Sequence, residues 1–320
     1  MNTAKIITPI TVSVLFSLGL VILGAPTNAQ QLDQPDLIQS FPVGLYPTRI
    51  TSDGENIWVS NNGEGTVTKL RASDGSLLGT FAVKNGPSGI AFDGASIWVA
   101  DFLSNSVTKL RASDGTLEDN IPVTHAPYGM AFDGANIWVT NYLGASVTKI
   151  RVSDDTVLGI FPTGQPYPKG VLFDGTDIWV ANSGYLTVSK LRVSDGALLG
   201  SVETGTYPSG LTFDGTKVWV SNSGTTTVTA IRASDGKIQG TFEMGGNPDG
   251  LTFDGQNIWA GIAKQVASDD TLVGVRARTG VLVHEFDLHH QPGGVFFDGT
   301  SIWVANLDDA SVTKITRTRR

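Results

Sequence analysis

All seven tryptophans of this chain fall in one motif, and their spacing constrains the fold more than any other feature. They stand at Trp58, Trp98, Trp138, Trp179, Trp219, Trp259 and Trp303, separated by 40, 40, 41, 40, 40 and 44 residues. Self-similarity at such a period marks an architecture in which one supersecondary unit recurs and buries its apolar face against its neighbours. The motif reads Phe-Asp-Gly-x-x-Ile-Trp-Val in its commonest form, as at Phe92–Val99 and Phe173–Val180. In five units an Arg follows the Trp by 13 residues, within a second motif, Leu-Arg-Ala-Ser-Asp-Gly in its commonest form, as at Leu70–Gly75 and Leu110–Gly115.

Each unit reads as four short strands. In the unit from Phe81 to Asn120, Gly89–Phe92 is an apolar run closed by Asp93-Gly94, and Ser96–Ala100 carries the Trp. Ser106–Ala112 alternates through Val107, Lys109 and Arg111 and ends at Asp114-Gly115, and Thr116–Pro122 leads into the next unit. Asp-Gly pairs between such runs are hairpin turns, because glycine supplies the positive φ that the turn needs. No unit shows the 3.6-residue period of a helical solenoid. The pattern therefore predicts an all-β chain, a seven-bladed β-propeller with four antiparallel strands per blade. Repeats start near residues 41, 81, 121, 161, 202, 242 and 286. The seventh ends at Arg320 after its third strand, while Asp36–Phe41 matches Ser76–Phe81 in register. The N-terminal strand 36–41 is expected to complete the last blade, which removes the exposed edge of a linear array.

Ahead of this strand, Lys5 precedes an apolar stretch from Ile6 to Gly24, then the small-x-small site Thr27-Asn28-Ala29, then Gln30 and Gln31. This reads as a signal peptide over residues 1–29, cleaved near Ala29, which leaves 30–320 as a single propeller exported to the periplasm or the extracellular space. No other segment is apolar enough to span a bilayer. The chain has no cysteine, which excludes disulfides and thiolate chemistry. It carries 22 Lys+Arg against 30 Asp+Glu, a net charge of -8, and loss of Lys5 takes this to -9. An acidic surface argues against nucleic acid or anionic lipid as partner. A monomer is expected.

Uniform positions of a repeat report its scaffold. The Trp is expected between blades, where a large aromatic buries much area. The turn aspartates Asp93, Asp133, Asp174, Asp214, Asp254 and Asp298, with Asp53 in the first unit, lie at the same blade end as Arg71, Arg111, Arg151, Arg192 and Arg232, so an Arg–carboxylate pair between strands is expected. After the Trp strand come Asn61, Asn141, Asn182, Asn222 and Asn306, with Asp101 in the second blade and Ile262 in the sixth. These amides read as loop-capping Asx turns or as a polar rim for a ligand.

Irregular positions report where a task could lie. The interval from the opening Phe (Ile121 or Val202 in two units) to Trp is 17 residues except in the fourth unit, where Phe161 to Trp179 is 18. The Trp-to-Arg interval grows to 17 residues in the sixth unit. Both changes fall in loops on one face, opposite the Asp-Gly turns, and insertions confined to one face mark the binding side of a repeat protein. The residue after the Pro that starts each first strand also varies: Thr48, Ser88, Tyr128, Lys169, Ser209, Asp249 and Gly293. These side chains should ring the mouth of the central channel. His125, His289 and His290 lie in the same loops, so Tyr128, Lys169, Asp249, His125, His289, His290 and Asp101 form the candidate ligand-binding set. Of these, Asp249, His290, His125 and Lys169 have the acid–base capacity a catalytic site would use.

The run Pro-x-Gly-Ile-Ala-Phe-Asp-Gly-x-x-Ile-Trp-Val-Ala-Asn, followed by Val-Thr-Lys-Leu-Arg-Ala-Ser-Asp-Gly, resembles the YVTN and NHL classes of β-propeller repeat (YncE-like) over residues 41–320. More distantly the chain resembles streptogramin B lyases. That resemblance implies a Mg²⁺-dependent elimination using His after the Pro that opens a blade and Glu after the Trp strand. Here the first position holds no His, and the second holds Asn or Asp and never Glu. Regucalcin-like and gluconolactonase-like propellers, also similar, imply a divalent metal held by Glu, Asn and Asp. Asp249, with Asp101 one strand further out, offers the only acids for it at the first-strand mouth. The residues thus point first to an exported scaffold that binds a protein, peptide or cell-envelope ligand on its variable loop face, with no cofactor and no metal site. The alternative is a metal-dependent lyase or lactonase that would need Mg²⁺ or Ca²⁺.

Overall fold

The computed structural model describes residues 36–265 and 269–317. The expected leader 1–29 with its expected cleavage point, Gln30–Gln34 and the basic end after Arg317 lie outside them, as do residues 266–268 of the loop lengthened in the sixth unit.

The described residues form 28 strands, numbered β1–β28 in chain order, in seven four-stranded antiparallel sheets. The first full blade consists of β2 (Pro47–Ser52), β3 (Asn56–Asn61), β4 (Thr66–Arg71) and β5 (Leu77–Ala82), paired in that order. The innermost strands of successive blades pack side by side around the central channel. The last sheet is closed by β1 (Leu37–Pro42), which pairs antiparallel with β28 (Ser311–Thr316) from Leu37↔Thr316 to Pro42↔Ser311. The closing strand is thus the one expected from the sequence, displaced by one residue.

Seven apolar clusters hold the ring, each a wedge between adjacent blades. Trp58 of the first blade packs on Ile97, Val99 and Leu110 of the second, and all seven tryptophans are fully buried. A Trp buries on the order of 200 Å², so at about 25 cal/mol per Å² each contributes roughly 5 kcal/mol before the entropy cost of ordering. Its indole N–H donates to the aspartate of the preceding turn, from Trp58 to Asp53 at 2.9 Å and from Trp179 to Asp174 at 2.7 Å. The other carboxylate oxygen accepts two backbone N–H groups of the same turn, as Asp174 does from Thr176 and Asp177.

The Arg–carboxylate pair forms, but with a different partner from the one expected. Arg71, Arg111, Arg151, Arg192 and Arg232 each bridge the aspartate three residues on, at the exposed outer hairpin. The turn aspartates take indole and backbone donors instead, and the cations that reach two of them are Lys217 on Asp214 and Arg317 on Asp254. A cation also lies over every Trp ring: Lys69, Lys109, Lys149, Lys190 and Lys314 from the third strand. Where that strand has Ala230 or Gly274 instead, Lys217 and Arg317 take the place. Lys69 Nζ also donates to the Ala112 carbonyl of the next blade at 2.7 Å, and Lys314 Nζ to that of Ala72 at 2.6 Å, stapling blade to blade.

Candidate functional site

The channel is built by the first strand of each blade. Two residues after the Pro of six of these strands stands a glycine, and the approach of the next blade requires it. A Cβ on Gly129 would strike the Lys169 carbonyl, and one on Gly170 the Ser209 carbonyl. The first blade departs from this rule and has Arg49.

Arg49 is the residue that sequence reasoning missed, and that single departure from glycine was the available signal. Its Nη1 meets Asp249 Oδ2 at 3.3 Å, while Lys169 Nζ meets Asp249 Oδ1 at 3.0 Å and the Ser209 hydroxyl donates to the same oxygen. Tyr128 completes the group, with the Arg49 guanidinium carbon and Lys169 Nζ each 5.9 Å from its ring centre. Five blades, the first and the third to sixth, thus join across the channel. Each of the three charged side chains is about a quarter exposed. Burial raises the Asp249 pKa, but the Lys169 and Arg49 charges and the Ser209 hydroxyl outweigh it and hold the carboxyl well below its usual range. Burial likewise lowers both cations, and the Asp249 charge, with Tyr128 and the hydrogen bond to Asp249, outweighs it, so both are raised.

From this bridge a cavity of about 390 Å³ runs along the first strands to Phe92, Phe132 and Phe173, which precede the Asp-Gly turns. It therefore extends toward the uniform hairpin face, away from the variable loops. Its walls include Ile90, Met130, Val171, Leu211 and Leu251, and its polar end is Arg49, Lys169, Tyr128 and Ser209. Asp249 is not on its wall.

His290 bonds apart from this group. His290 faces Asp308 and Asp309, with Nδ1 3.6 Å and Nε2 3.4 Å from their carboxylates. His125 and His289 sit in left-handed turns before their strands, with φ of 65° and 62°. None of the three lines the channel cavity. Of the sequence candidates, the structure joins Tyr128, Lys169 and Asp249, and leaves His125, His289 and His290 in the loops that enter the first strands, off the cavity wall.

The amide ring is neither Asx turn nor open rim. Asn61 Nδ2 donates to the hydroxyls of Thr66 and Thr68 on the neighbouring strand, at 3.0 and 2.8 Å. Asn141, Asn182, Asn222 and Asn306 repeat the arrangement, all fully buried. In the second blade Asp101 reverses it, accepting from Ser106 at 3.1 Å and Thr108 at 2.7 Å. Burial pushes the Asp101 pKa up to about 6, against these two hydroxyls. Among the described residues no group of three or more His, Asp or Glu converges to hold a metal.

The loop face carries a second feature. The residue before the strand-opening Pro is left-handed at Tyr46, Tyr167 and Tyr207, with φ of 51°, 55° and 51°, and in the second blade it is Gly86 at 72°. Each Tyr ring lies against a glycine of the facing loop: Gly63, Gly184 and Gly224. The second blade inverts the pair, with Leu103 against Gly86. The third places Leu143 opposite Ala126. Blades one to five so present Tyr46, Leu103, Leu143, Tyr167 and Tyr207, between 44% and 70% exposed. Inside this crescent Phe102, Tyr128, Tyr142 and Tyr167 form a chain of rings, with centres 5.3 to 6.0 Å apart.

No protein-family model matches the chain, and no curated protein matches it significantly. Solved structures do. A streptogramin B lyase superposes with a TM-score of 0.75 at 19% identity, covering 88% of this chain and 98% of its own. The hydrazine synthase of Kuenenia stuttgartiensis gives 0.74 at 20% identity, covering 85% and 96%. The Cps50 (Swd1) β-propeller domain of Myceliophteria thermophila gives 0.75 at 10% identity, covering 89% and 100%. At such identities the likeness is one of fold.

Proposed function

We propose that the chain is an exported, non-enzymatic propeller that binds a protein or peptide through the apolar crescent of blades one to five. The reciprocal pattern of that crescent carries the reading. A left-handed conformation costs an L-residue roughly 1–2 kcal/mol, and Gly86 shows that the fold accepts glycine there at no such cost. Three exposed tyrosines nevertheless occupy the position, and where one is missing the facing loop supplies a leucine. Strain and exposed apolar area kept together on one face are what a recognition surface needs. Aromatic anchors of this kind dominate protein interfaces. The leader supports export.

The lyase or lactonase reading has less support. Asp249 is held ionised by two cations, which weakens it as a base, and it shares no bonded partner with His125 or His290.

The test is selection from a displayed peptide library. The parent protein should enrich peptides with aromatic or branched apolar anchors, and the variant Tyr46→Gly/Tyr167→Gly/Tyr207→Gly should fail to retain them while keeping a cooperative melt. Selected peptides that bind this variant as well as the parent, or no enrichment at all, would overturn the reading.

A further inference from the structure

We propose that the central channel is a separate binding site for a monocarboxylate with an apolar body, its carboxylate held by Arg49 and Lys169. The inference does not rest on the loop face.

Charge is the first reason. Arg49 and Lys169 against Asp249 leave one positive charge in the bridge, and burying unbalanced charge is costly unless a counterion pairs with it. The charge also points one way. Among the described residues the only charged side chains on the cavity wall are Arg49 and Lys169, while Asp249 is not on it. Donors are to spare as well. Arg49 uses Nη1 on the Thr48 carbonyl and Asp249, and among the described residues no acceptor meets its Nε or Nη2. Lys169 donates to Asp249 alone, one bond of the three its ammonium can make.

The walls decide what is attached to the anion. Beyond the two cations and Ser209 the side chains on the cavity wall, Thr51 apart, are aliphatic and aromatic down to the Phe layer, interleaved with the backbone of the strand glycines. From Tyr128 to Phe132 the strand rises about 13 Å at roughly 3.3 Å per residue. A volume of about 390 Å³ lies within the range of small-molecule sites, roughly 300–1,000 Å³. Inorganic phosphate would leave those walls uncovered. Two backbone donors beside the cations are already engaged, Gly129 N–H with Thr140 Oγ1 and Gly210 N–H with Ser221 Oγ, each at 2.7 Å. A single carboxylate on an apolar body matches both the one net charge and the apolar side chains, such as Ile90, Met130, Leu211 and Leu251, that follow the cations along the wall.

Calorimetric titration with decanoate, 1-decanol and sodium phosphate tests this on the whole protein. Decanoate should bind at one per chain, and decanol and phosphate at least tenfold more weakly. Lys169→Met should weaken decanoate at least tenfold and leave decanol unchanged, and Leu211→Trp should block the channel to both. The triple tyrosine variant above should bind decanoate as the parent does, which separates failure of this site from failure of the loop-face reading. Decanol binding as tightly as decanoate, phosphate competing at equal strength, or Lys169→Met leaving decanoate affinity intact would each overturn the proposal. So would the absence of decanoate binding. Should Leu211→Trp not fold, the Lys169→Met comparison decides alone.

Discussion

Replacing Asp101 by asparagine should stabilise the protein, and do so only where the aspartate is charged. Asp101 is fully buried and occupies the place that asparagine holds in five other blades. Its pKa rises from an ordinary 3.8 to about 6 because burial disfavours the carboxylate. The folded chain therefore binds this proton more tightly than the unfolded chain. Stability falls as pH rises from about 4 through 6, and the whole cost is present above that. A shift of about two units corresponds to about 3 kcal/mol at 1.36 kcal/mol per unit. An amide at this position would donate to Ser106 and Thr108 as Asn141 does to Ser146 and Thr148, with the hydroxyls turning to accept. Urea unfolding followed by tryptophan fluorescence measures the gain. Asp101→Asn should gain 2–3 kcal/mol or so at pH 8, and the gain should shrink to about 0.5 kcal/mol at pH 4. A gain of the same size at both pH values, or none at pH 8, would refute the assignment of a strained, charged carboxylate.

Two further outcomes test the scaffold. Asp174→Ala leaves the Trp179 indole N–H and two turn N–H groups without their acceptor, and at about 1–3 kcal/mol per buried orphan it should lower the melting temperature by many degrees; a melt within a degree or two of the parent would count against it. A chain starting at Val43 lacks the strand that pairs with β28 and the Phe41 ring 5.7 Å from Trp303. It should lose its cooperative melt and associate through the bared edge, as size-exclusion chromatography would show.

The sequence legibly encodes each blade because everything within a blade is local. A Phe-Asp-Gly turn sets its own hydrogen bonds, and the Trp five residues after the Asp completes them, as Asp93 and Trp98 show. The N-terminal strand could be placed in the last blade because the repeat itself shows what is missing there. The amide ring misled for the same reason. Its partners are five and seven residues away on the paired strand, so a loop reading looked sufficient until the pairing register was known. The cations over Trp219 and Trp259 were also hidden, since Lys217 and Arg317 reach those rings from positions the other blades do not use.

What the sequence by itself determined is the blade, its count and the closure of the ring. What only the tertiary structure decided is which of the variable side chains meet. Arg49 and Asp249 lie 200 residues apart and touch because seven wedge-shaped interfaces bring the first strands around one axis. No period in the chain records that convergence, because each residue in the bridge is a departure from the repeat. The same closure turns the unbalanced charge toward the channel cavity on the hairpin side, where the repeats are most alike and the sequence offers least to read.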